Sequence, residues 1–110
     1  MIENIISEIE TRLHQGSAID QSKRQELLEL LGRLKSEVSR LSKTNDEQAS
    51  SIAGFARVST HEATRAKPNS KLVEISVNGL RSSVDGFEQT HPQLVEIVNR
   101  ISNTLSNLGI

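Results

Sequence analysis

The chain has no cysteine, no tryptophan and no tyrosine, and only two phenylalanines, Phe55 and Phe87. Without cysteine there is neither a disulfide framework nor thiolate chemistry. Ligand pockets and single-stranded nucleic-acid platforms draw on aromatic rings for contact area and stacking, so an aromatic-poor chain favours neither. Charge of one sign is also scarce. The net charge is -1, with nine acids against seven bases in residues 1–48 and five against six in residues 49–110. No part forms a basic field for phosphates, and nucleic acid is not an expected partner. Nowhere do 18 apolar residues come in succession, and the opening MIENIISEIE lacks a basic region before an apolar run. The chain is therefore expected to be soluble and cytoplasmic, with no membrane partner.

What the 110 residues do hold is aliphatic: 12 Leu, 10 Ile and 7 Val. That is enough for one domain with a modest core. Ile2, Ile5, Ile6, Ile9 and Leu13 recur at steps of three and four, which predicts a first amphipathic helix over 2–14. Gly16-Ser17 supplies a turn after it. A second helix over 21–43 carries the strongest signal. Asp20 or Ser22 can cap it, Ser22 and Gln25 having capping-box spacing. Leu27, Leu31, Leu34, Val38 and Leu41 form its stripe, and Leu28 and Leu30 widen that stripe beyond what one partner helix covers. Gly32 inside it suggests close approach by a neighbour.

Asn45 or Asp46 opens a third helix over 46–66, rich in small residues and weakened by Gly54 and several Ser and Thr. Lys67-Pro68-Asn69-Ser70 is a break, with Asn or Ser placed to cap the next helix. Leu72, Ile75, Leu80, Val84 and Phe87 suggest a fourth helix over 70–89. The KLVEISV of 71–77 also alternates like a strand, but a lone strand has no partner. The last helix, 92–107, presents Leu94, Val98, Ile101, Leu105 and Leu108 on one side and Asn99, Asn103 and Asn107 on the other, with Gly109 placed to end it. The expected fold is all-α: four to five helices in antiparallel hairpins, a coiled-coil-like bundle that dimerises.

Glu88 and His91 have the Glu-x-x-His spacing by which di-metal carboxylate bundles hold their ions. Pro92 comes directly after, however, which puts His91 at a helix start. The competing account is local: Thr90 or His91 caps the last helix, Pro92 fills its first turn, and Gln93 completes a Thr-x-x-Gln box. His61-Glu62 resembles the start of a zinc-protease motif, but Arg65 stands where its second His belongs. A solvated face pairing Glu62 with Arg65 is the simpler meaning. No catalytic constellation or phosphate loop is evident, so neither an enzyme nor a cofactor is expected.

IISEIETRL, SKRQELLELLGRL, GFEQTHPQL and NTLSNLGI together resemble a family of small bacterial proteins known as domain of unknown function 4404. Its members end in a pattern like FE-x-S/T-HP-x-L and then L-x-N-x-GI. Phe87, Glu88, Thr90, His91, Pro92, Leu94, Leu105, Asn107, Gly109 and Ile110 match it. The resemblance covers about 1–43 and 70–110 and implies a small helical bacterial protein, with no activity, cofactor or partner to carry over. The expected function is a non-enzymatic interaction or scaffold module, a homodimer joined through Leu27, Leu31, Leu34, Val38 and Leu41, with room for another protein partner. The alternative is a metal-binding bundle using Glu88 and His91 across such a dimer.

Overall fold

A computed structural model describes residues 2–15 and 19–108, and within them the chain forms five α-helices and no strand. These are α1 (Ile2–His14), α2 (Gln21–Ser42), α3 (Asp46–Thr64), α4 (Ser70–Ser82) and α5 (Pro92–Leu108). The turn expected at Gly16-Ser17, the terminating Gly109 and the final Ile110 lie outside the described residues.

Local chemistry sets most of the helix ends. The Asn45 side chain accepts the Gln48 N–H at 3.1 Å and so begins α3. Asn69 accepts the N–H groups of Lys71 and Leu72 at 3.0 and 3.2 Å and begins α4. Each satisfies amides that the first turn of a helix leaves without a partner. Asp20 holds the cap position of α2 without a side-chain bond, and Ser22 lies inside the helix, so the Ser22–Gln25 box does not form.

The fourth helix is shorter than its sequence suggests. It stops at Ser82, not at 89, because Ser83 turns its hydroxyl back onto the Leu80 carbonyl at 2.6 Å, while Val84, Asp85 and Phe87 donate their N–H groups three residues back. Gly86 then takes φ +92°, a conformation that a side chain resists. Residues 71–77 are helical, which disposes of the strand alternative.

The α4 stripe is also turned from the expected one. Val73, Val77 and Leu80 are buried together with Ser76, whereas Leu72 and Ile75 are 39% and 57% exposed. Two overlapping sets of three-four spacings compete on this helix, and the set containing the smaller valines faces the core.

Three long-range bonds show that α1 and α2, and likewise α3 and α4, run antiparallel. Ser39 and Lys35 of α2 meet Glu3 and Glu10 of α1 at 2.7 Å each. Gln48 of α3 donates to the Ser83 carbonyl at the far end of α4 at 2.6 Å. The Ser39 hydroxyl, together with a backbone hydrogen bond, holds the pKa of the Glu3 carboxyl down at about 2.

The α3 helix is the hub: it packs against each of the other four, while α2 touches α1 and α5, and α5 touches α4. Its buried side chains are small, among them Ala49, Ala53, Ala56, Ser59 and Ala63, and only Ile52 is large. Small side chains let several neighbours come close to one backbone, which compensates for the weaker helix propensity of the segment. Among the described residues α1 and α4 do not touch, so a strip of α3 faces solvent between them.

The leucine stripe of α2 needs a correction. Leu27, Leu31, Leu34 and Val38 are 0% exposed and Leu41 1%, all within a single chain. The face is too broad for one partner helix, and three helices of the same molecule, α1, α3 and α5, cover it. These residues form core, not an interface between copies.

Gly32 also differs from expectation. A Cβ there meets only the flexible Glu10 carboxylate at 3.9 Å, an ordinary contact. Gly32→Ala is therefore expected to stabilise the protein by about 1 kcal/mol, because glycine in mid-helix loses more backbone freedom on folding than alanine. A rise in the urea midpoint at unchanged slope checks this. Close approach falls instead at Gly79, where a Cβ would overlap the Phe55 ring.

Candidate functional site

Among the described residues, four large hydrophobic side chains stand exposed, and all four lie on α3 and α4: Phe55, Val58, Leu72 and Ile75. Phe55 and Val58 are one turn apart on α3, as are Leu72 and Ile75 on α4. The Phe55 ring rests over Gly79, and the antiparallel register then carries Val58 toward the turn of α4 holding Ile75. One apolar face results, set on the outer side of the α3–α4 hairpin. Charges of both signs border it, with Glu62 on α3 and Lys71 and Glu74 on α4, the last two 4.0 Å apart.

On the other side of α3, toward α1, the surface sinks into a cleft of about 390 Å³. Ile9 and Leu13 line it from α1, both almost wholly buried. Arg12, Arg57, His61 and Arg65 contribute its basic groups. Glu8 pairs with Arg12 at 3.2 Å, and Glu62 pairs with Arg65 at 2.8 Å, the pairing that the spacing of THEATR suggests. A shallower hollow continues from the cleft past Val58, so cleft and apolar face meet along the exposed strip of α3.

The residues singled out near the last helix sit elsewhere, in the α4–α5 connection. Glu88 lies in a turn and its carboxylate accepts the Gly86 N–H at 2.8 Å. Its bond secures the left-handed glycine. The His91 carbonyl accepts the Val95 N–H at 3.2 Å, which makes His91 the capping position with Pro92 first in the helix. The Thr90 hydroxyl is 3.0 Å from His91 Nδ1, so no Thr90–Gln93 box closes, and the His91 ring stands edge-on to Phe87 at 5.4 Å. Among the described residues no three His, Asp or Glu side chains gather to hold a metal ion. Asn99, Asn103 and Asn107 are exposed, and Asn103 accepts a bond from Arg81 at 2.9 Å.

Both surface features escape the sequence. Spacing places Leu72 and Ile75 in the core stripe of α4, and nothing in it says that Arg57 and Thr60 face α1. The one usable signal is the surplus of apolar residues in 72–77.

The family model for Domain of unknown function (DUF4404) matches residues 27–110. The chain belongs to this family. The DUF4404 match takes in α3, α4, α5 and all of α2 from Leu27 onward, and so the whole apolar face. It includes residues 44–69, which the sequence resemblance does not cover, and α1 lies outside it. The cleft is thus shared between a DUF4404 helix and one beyond the match. No curated protein and no solved structure matches the chain. No helix among the described residues is long and apolar enough to cross a membrane.

Proposed function

We propose that this DUF4404 protein is a non-enzymatic interaction module that self-associates through the outer faces of α3 and α4. The observation that carries the reading is the gathering of Phe55, Val58, Leu72 and Ile75 on one hairpin face. Exposed apolar side chains gathered on one face point to a partner surface more than singly scattered ones do.

A second copy of the chain suits this face. Glu62, Lys71 and Glu74 put both signs of charge at its border, so a two-fold contact, in which the same patch meets itself, can oppose unlike charges. A net charge of -1 adds little repulsion between copies. Two antiparallel hairpins laid face to face form a four-helix arrangement.

Sedimentation at rising concentration tests this. The native protein is expected to shift from monomer to dimer across tens of micromolar. Ile75→Asp, at the most exposed of the four positions, is expected to weaken association at least tenfold, since it desolvates a charge at the contact, while leaving the helical circular dichroism unchanged. A native chain that stays monomeric, or an Ile75→Asp protein that dimerises equally well, refutes the reading.

A further inference from the structure

We propose that the cleft between α1 and α3 is a binding site for a small organic monocarboxylate with an apolar body. This rests on Arg57 and Thr60, neither of which the self-association reading uses, although the cleft adjoins the apolar face at Val58.

Size and lining come first. A volume of about 390 Å³ falls within the range of small-molecule sites. Ile9 and Leu13, almost wholly buried, floor the cleft, and together with the methylene stems of the lining arginines they suit a hydrocarbon body. The charge of the lining selects the head group. Arg12, Arg57 and Arg65 contribute three positive charges and Glu8 one negative charge, and Glu62, at the adjoining hollow, adds another. Arg12 and Arg65 are taken by Glu8 and Glu62, which leaves the single charge of Arg57, the complement of a monoanion.

The pairing inside the cleft identifies which group is available. Glu8 and Glu62 are engaged within their own helices by Arg12 and Arg65. Among the described residues Arg57 has no carboxylate partner. A guest carboxylate there gains a guanidinium, whose planar fork matches its two oxygens, without displacing an existing ion pair.

Thr60 supplies the second, independent observation. It is 4% exposed, lines the cleft, and its hydroxyl has no hydrogen-bond partner among the described residues. Its neighbours behave differently: Ser59 donates back to the Phe55 carbonyl at 2.7 Å and Thr64 to the Thr60 carbonyl at 2.6 Å. An unpaired buried hydroxyl is costly in a folded protein and calls for a partner. A carboxylate oxygen held by Arg57 can accept from Thr60 once a χ1 rotamer change turns the hydroxyl into the cleft, which places head group on α3 and hydrocarbon against α1.

Octanoate is a suitable probe, with a chain of about eight carbons that the cleft can enclose. Titrated into ¹⁵N-labelled protein, it is expected to give saturable amide shifts centred on residues 8–13 of α1 and 57–64 of α3. Octanol, which lacks the charge, and inorganic phosphate, which lacks the apolar body, are each expected to bind at least tenfold more weakly. Arg57→Gln is expected to weaken octanoate binding about tenfold, and the near-isosteric Thr60→Val several-fold, with both folds retained by circular dichroism. Non-saturating shifts at millimolar octanoate, equal binding of octanol, shifts centred on Leu72 and Ile75, or unaltered affinity in Arg57→Gln would each overturn the assignment.

Discussion

Leu34→Ala is expected to destabilise the protein by about 2–5 kcal/mol and to leave its self-association untouched. Leu34 is 0% exposed in the middle of the α2 stripe, on a helix packed against α1, α3 and α5. Truncation removes the transfer free energy of three carbons and leaves a void that helices tied to one another cannot fully collapse. Against a total stability of about 5–15 kcal/mol for a domain of this size, that loss is large. Denaturant unfolding at two protein concentrations separates the two roles of such a residue. A core position lowers the midpoint equally at both; an interface position lowers it mainly where dimer is populated. A Leu34→Ala protein as stable as the native one, but monomeric, would restore the α2 stripe to the interface.

The second large effect is expected from Ala56→Leu. Ala56 is 0% exposed on the helix that all the others contact. Alanine and leucine have similar helix propensities, so the substitution tests packing almost alone. Three added carbons at a closely approached backbone force neighbours off their rotamers or shift a helix, at a cost of about 1–3 kcal/mol. The midpoint of urea unfolding measures it. A neutral or stabilising result would mean that the small side chains of α3 line slack space, and that its central position does not depend on close approach.

The helices themselves are legible in the letters because their apolar steps of three and four are long and regular. Asn45 and Asn69 are legible as caps because their short side chains act on amides two or three residues away. The same local logic fails for Ser22 and for Thr90 with Gln93, where a competing cap position or a histidine partner one residue away takes precedence. In α4, Leu72 and Ile75 overlap in spacing with Val73 and Val77, and only the position of α3 decides which pair is buried. Breadth tells that the α2 stripe needs several partners; it cannot tell whether they belong to the same chain. Least visible is α3, whose alanines and serines read as a poor helix yet are what lets four others converge on it. The cleft needs a register between α1 and α3 that no local pattern encodes.

The bare strip between α1 and α4 is the back of that central helix. Whatever settles there, an identical molecule or a fatty acid, braces the one helix that touches all four others. Occupancy and global melting therefore draw on one common free energy, so a guest held on this strip protects those amides of distant α5 that exchange only through global unfolding as much as the like amides beneath it.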